Sequence, residues 1–245
     1  MTWQETENRR SKWDKRFKKV MTTYFVDQAN SIMALDKIQE IASFSTSVNS
    51  MIDRDTSKLR KIYTTLYVDI INDFGKTVYN EFIGQKIFSI FAFGVYGWIA
   101  SMALARAKKI NGYSKLVVMN IVKKANEEGW TIRQTAKILR TVFIESFSKK
   151  RSIRIARTEV NTASNYGSYS GAKQTGLKLK KIWIATNDSR TRPTHRKAGR
   201  HPPIGIDELF KVGKGKMLYP GDQKGPVEEV VNCRCAIGYK REVRK

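Results

Sequence analysis

The stretch IRIARTEVNTASNYGSYSGAKQTGLKLKKIWIA, residues 153–185, changes its period part-way along. Residues 153–175 keep helical spacing and end at Gly176, a residue type that readily takes the left-handed conformation at a helix C-terminus. Beyond Gly176 the period drops to two. Lys180, Ile182 and Ile184 alternate with Lys181, Trp183 and Ala185, the pattern of a half-buried strand. A second strand-like run, EEVVNCRCAIGY, covers 228–239, and a polar loop with Pro193, Pro202 and Pro203 lies between the two. Upstream, the chain reads as helix. Residues 57–74 place Leu59, Ile62, Leu66, Ile70 and Phe74 at spacings of three and four, with Gly75 as the expected stop. Residues 116–128 predict a further helix closed by Gly129. Thr131 and Gln134 then form a capping-box pair ahead of Ile132, Ala136, Leu139, Phe143 and Phe147 on one face. The expected fold class is α+β: a mainly α-helical N-terminal region, 1–130, followed by a small α+β C-terminal domain, 131–245.

The 245 residues suffice for one large domain or two small ones. With 41% apolar and 11% aromatic residues, a wholly disordered chain is excluded. The formal net charge is +24, from 46 Lys and Arg against 22 Asp and Glu. A surplus of that size repels itself, so an acidic partner is expected: nucleic acid first, an anionic membrane second. An enzyme acting on small neutral metabolites is disfavoured. Residues 149–245 hold 23 of the basic residues against eight acidic ones, together with all five Pro, both His and both Cys. The N-terminal residues 1–19 are charged and show no apolar core of a secretory signal.

Cys233 and Cys235 form a C-x-C pair, too few for a disulfide framework and too close for an unstrained bridge, which points to a reducing compartment. With His195 and His201 they are the only soft ligands in the chain, and all four lie in its last 51 positions. Two thiolates and imidazole suit zinc, with Asp188 able to replace one His. Against this, C-x-C on a regular strand sends its side chains to opposite faces, so a local bend is required. The alternative is a half-buried Cys pair with hydrogen-bonded histidines. The loop 187–203 crowds Arg190, Arg192, Arg196, Lys197 and Arg200 around His195, a candidate phosphate-binding patch or simply a solvated basic loop. No aromatic residues interleave and no helix-turn-helix or zinc-finger spacing is present. Any DNA binding is therefore expected to be sequence-independent and steeply salt-dependent. G-x-S-x-G, Walker and G-x-G-x-x-G motifs are absent, and the lone Glu159 on a helix reads as an ion-paired residue; no catalytic set is assigned.

Residues 87–105, IFSIFAFGVYGWIASMALA, carry no charge over 19 positions. They read as a helix buried in an assembly or, alternatively, as a membrane-spanning or conditionally membrane-seeking element. Phe91, Gly94, Gly97 and Trp98 are its candidate contact residues; the glycines are three apart, which permits close helix contact but is not the G-x3-G spacing.

The string 155–176, the run of Trp183, Asp188, Arg192 and His195, and LYPGDQKGPVEEVVNCRC at 218–235 together resemble the phage Mu F-like domain of minor head proteins in tailed phages. The resemblance covers about residues 130–240, and the PGD…NCRC ending is its specific part. Ala198 stands before Gly199 where many members carry an acidic residue, and His201 lies outside the pattern. The resemblance thus points to Asp188, His195, Cys233 and Cys235 as the linked set, metal-bound or hydrogen-bonded. It implies a minor head component made in the host cytoplasm and held inside the virion head near the portal, in few copies. The portal protein and packaged double-stranded DNA are its expected partners, with host-membrane contact on ejection through 87–105. No cofactor is implied beyond that zinc. A distant alternative is an ADP-ribosyltransferase-like effector.

Overall fold

The computed structural model describes residues 2–85 and 87–242, Phe93 without its side chain. Lys86, the basic residue before the apolar segment, falls outside the described residues. Helices α1 (Trp3–Met33), α2 (Ile41–Ile83), α3 (Val95–Glu128), α4 (Ile132–Thr141) and α5 (Ser152–Gln174) come first. Strand β1 (Leu179–Ile184) follows, then α6 (Pro193–Gly199), β2 (Ile204–Gly205), β3 (Phe210–Val212), β4 (Gly215–Met217), α7 (Val227–Val230) and β5 (Ala236–Arg241). This is the expected α+β class: mostly helical at first, mixed and antiparallel at the end. By contact the chain divides into two compact units. One comprises Met1–Phe17, Tyr67–Gly97 and Arg154–Lys245; the other comprises Lys18–Leu66 and Trp98–Ile153.

The second unit is all helical. Thr131 caps α4 reciprocally with Gln134, as its sequence predicts, and α4 runs into a π-helical stretch, Val142–Arg151. That stretch brings Phe143 and Phe147 into the core at 4.6 Å between ring centroids. Its last residue, Arg151, lies over the rings of Phe25, Tyr113 and Phe147. Arg151 also donates to the carbonyl of Ile110 at 2.9 Å and the hydroxyl of Ser114 at 3.1 Å. The planar cation thus satisfies its donors while packing its faces on aromatic rings. Asn111 pins α3 to two other helices: it accepts from the Tyr24 hydroxyl and donates to the Ile52 carbonyl.

The first unit contains all the strands. β1 lies between β2 and β5, antiparallel to both, with Trp183 opposite Ile237; β3 and β4 form a separate hairpin. Burial alternates along β1 as the period of two requires, and the inward face is Leu179, Lys181, Trp183 and Ala185. Lys181 is fully buried there. It donates to the Leu218 carbonyl at 2.7 Å and lies over the Phe210 ring. Burial draws its pKa down to about 8.

Three local expectations give way. Gly75 does not stop α2, which continues to Ile83. A Cβ on Gly171 of α5 would stand 2.3 Å from the Gly75 carbonyl, and one on Gly167 2.9 Å from the Ile71 backbone. Gly167 and Gly171 let α5 lie backbone-to-backbone on α2, and Gly75 shares that close approach. The 228–239 run is not one strand: α7 occupies its start and β5 begins only at Ala236. Pro226 begins the turn of helix and Asn232, at φ 57°, ends it. The polar loop after β1 contains α6, with Pro193 in its first turn.

The apolar segment 87–105 is not one helix either. Gly94, at φ 71°, closes a 3₁₀ turn (Ala92–Gly94), and α3 starts at Val95 and runs on through Arg106, Lys108 and Lys109. Among the described residues, no helix is long and apolar enough to cross a membrane. Within the single chain, Val95, Ile99 and Ala103 are the buried stripe at the start of α3. Phe91 is 75% exposed, Gly94 and Gly97 face open space, and Trp98 is half-buried.

Candidate functional site

The three sequence motifs of the C-terminal half meet around α5. Thr162 donates to the Gly221 carbonyl at 2.9 Å, and Asn165 donates to the Pro220 carbonyl at 2.7 Å. Gly221 has φ 82°, and a Cβ there would press on Asn161 at 2.7 Å, so this turn takes glycine. Asp222 closes the turn by accepting from the backbone N–H groups of Leu218 and Lys224. Asn165 also donates to the Cys235 carbonyl and accepts from the Ile237 N–H, while Thr158 accepts from the Asn232 N–H. Arg10, buried, donates to Ser164, Asn165 and the carbonyls of Arg234 and Cys235. The helix, PGD turn and NCRC segment form one hydrogen-bonded unit, so the polar residues of α5 serve backbone groups that the sheet leaves unpaired.

That scaffold aims the soft ligands at one point. The left-handed Asn232 supplies the bend that C-x-C requires, and both cysteines precede β5, so neither is held to strand alternation. Nδ1 of His195 lies 3.4 Å from the Cys235 sulfur and 3.7 Å from that of Cys233. All three side chains are buried, and their ligand atoms fall within 4.8 Å of one another. α6 presents His195 and Ala198 inward, a turn apart. The His195 ring stands edge-on to Trp183, which stands edge-on to Phe210. On the other side of the imidazole, Nε2 is 2.9 Å from Oε2 of Glu229, which also accepts from the Thr194 hydroxyl. The carboxylate lies beside Nε2, and Nδ1 is the ring nitrogen that faces the sulfurs. The neighbouring Cys233 and His195 hold the Cys235 thiol below its usual range, while the neighbouring Cys235 and burial push the Cys233 thiol up.

Asp188 is not in this cluster. Its carboxylate takes a two-pronged pair of bonds from Arg234, at 2.6 and 2.7 Å, and accepts from Thr191 and the Arg190 N–H. Arg234 holds its pKa well below the carboxylate range. The linked set therefore keeps His195, Cys233 and Cys235 and loses Asp188, because residue 234 projects the opposite way from its cysteine neighbours and captures the acid. His201 is exposed. Glu229, Asn165 and Arg10 escaped the sequence reading. Glu229 sat in an apparent strand and Arg10 among many surface cations, and no local pattern separates such residues from their neighbours.

The basic loop divides. Arg192 is half-buried and donates to the Val231 carbonyl at 2.6 Å, a structural role. Arg190 and Arg196 are exposed and lean on Asp188, at 3.8 Å to its carboxylate and 3.0 Å to its carbonyl respectively. Lys197 on α6 and Arg200 just beyond its end are exposed. Arg196 and Arg200 border a recess of about 380 Å³ with Asn187 and Trp183 at its wall.

Residues 117–238 match the family model described as Phage Mu protein F like protein. Two curated relatives match parts of the chain. The minor head protein of Bacillus phage SPP1 is 36% identical over 91 residues, 34% of this chain and 28% of that protein. An NAD(+)–arginine ADP-ribosyltransferase of Enterococcus faecalis is 30% identical over 152 residues, 57% of this chain and 30% of that protein. The matched stretch thus spans less than a third of either relative. No solved structure matches the chain. The match over residues 117–238, which takes in α5, the PGD turn and the NCRC segment, places this chain in the Phage Mu F-like protein family.

Proposed function

We propose that this chain is a minor head protein of a tailed phage, held inside the head near the portal, with the portal protein and packaged double-stranded DNA as its partners. The observation that carries the reading is the family match over residues 117–238, supported by the likeness to a phage minor head protein. The DNA contact rests on charge. A surplus of +24 needs a polyanion beside it, and Arg190, Arg196, Lys197 and Arg200 are four exposed cations of one segment, two of which, Arg196 and Arg200, border a recess. The role is structural rather than catalytic. Glu159, the acid of the Arg157-Thr158-Glu159 run, is buried and accepts a 2.6 Å hydrogen bond from the Tyr67 hydroxyl, as a residue that fixes a helix does.

Quantitative mass spectrometry of purified virions, before and after triggered ejection, tests this. A few copies per particle are expected. Their loss on ejection gives the chain a delivery role, and their retention makes it an internal packing and DNA-contact component. Absence from virions overturns the proposal.

A further inference from the structure

We propose that His195, Cys233 and Cys235 bind one zinc ion, oriented by Glu229. A tetrahedral ion with Zn–S near 2.3 Å and Zn–N near 2.0–2.1 Å separates its sulfur and nitrogen ligands by about 3.6 Å. The two sulfurs stand 3.4 and 3.7 Å from Nδ1 of His195, so they already occupy two such edges. A simple hydrogen-bonded trio does not require both thiols to crowd the same nitrogen. The ligand chemistry is soft, two sulfurs and an imidazole, which suits zinc over magnesium or calcium.

The surroundings fit the same reading. Glu229 lies 2.9 Å from the far nitrogen of His195, within reach of the N–H that an imidazole bound to zinc through Nδ1 would present to it. Thr194 fixes that carboxylate in turn. Zinc with two thiolates is neutral overall, and the buried Glu229 carboxylate and Arg10 guanidinium balance each other nearby. The carbonyl of Cys235 is held by Arg10 and Asn165, so the bent C-x-C is pre-set rather than shaped by the ion. Three protein donors leave a fourth position for a non-protein ligand, water being the simplest. The ion ties α6 to the segment between α7 and β5, two elements separated by more than 30 residues, and so fixes the helix that carries Arg196 and Lys197.

The test uses the full-length protein. Elemental analysis after purification without added chelator is expected to give about one zinc per chain. Stripping followed by addition of cobalt(II) alone is expected to give thiolate-to-cobalt charge-transfer bands and the strong visible bands of a tetrahedral site. A chelator should lower the thermal midpoint, and added zinc should restore it. Cys235→Ser and Cys233→Ser are expected to lose the ion. Glu229→Gln should keep the site but weaken zinc by about 10–100-fold. Wild-type protein that carries no stoichiometric zinc and gives no cobalt–thiolate band overturns the proposal, whatever the variants do. Folded cysteine variants that still hold one zinc also overturn it, because the ion then sits elsewhere. Unchanged affinity in Glu229→Gln overturns the orienting role of that carboxylate.

Discussion

Replacing Gly171 with alanine tests the close approach of α5 to α2. The new Cβ would stand 2.3 Å from the Gly75 carbonyl oxygen and 3.0 Å from its carbonyl and α carbons. Ordinary contact begins near 3.4 Å, so the shortfall is about 1 Å. Every obstructing atom is backbone, and no rotamer change relieves the clash. Alanine gains about 1 kcal/mol over glycine in a helix, whereas overpacking a close contact costs about 1–3 kcal/mol and sometimes more. The expected net loss is about 2 kcal/mol or more. Gly112→Ala in α3 is the control: a Cβ there meets nothing within 4 Å, and a gain of about 0.5–1 kcal/mol is expected. Urea unfolding followed by far-ultraviolet circular dichroism measures both. If Gly171→Ala matches or exceeds the wild type in stability, the backbone-to-backbone packing of α5 on α2 is refuted.

Three further outcomes follow from the same packing. Asn165→Ala strips partners from the Ile237 N–H, the Arg10 guanidinium and the carbonyls of Pro220 and Cys235, and a loss of about 3 kcal/mol or more is expected in urea titrations. Lys181 has its folded pKa near 8, below its free value of 10.5, so between these values the unfolded chain binds the extra proton. Its contribution to stability therefore rises with pH across that window, and the full burial penalty applies below pH 8; Lys181→Met should flatten the rise in unfolding curves taken across that range. Replacing Arg196, Lys197 and Arg200 together by alanine should reduce the slope of log affinity for duplex DNA against log salt by about 2.7, read in a salt titration, if all three contact phosphate.

Much of the secondary structure is legible because its signals are local. The Thr131–Gln134 cap, the Gly129 and Gly176 stops and the period-two run of β1 each depend on a few adjacent residues, and each appears as read. Gly75 shows the limit. A glycine in a helical pattern means either an end or a close neighbour, and only the presence of Gly171 across from it decides which. The apolar run 87–105 is similar: composition reported the absence of charge, while the left-handed Gly94 broke the helix and left Ile87 and Phe91 exposed.

The chain by itself determined its class, its basic surplus and the identity of the soft ligands, because these follow from residue types and short-range spacing. Tertiary structure alone decided which ligands meet. His195 and the C-x-C are separated by a strand hairpin and two turns, and they converge because α6 turns its third residue inward and Asn232 bends the chain. It also decided that Asp188 goes to Arg234 and that Glu229 goes to His195. Partner choice among charges depends on distances of a few ångströms across the fold, and no periodicity along the chain encodes it.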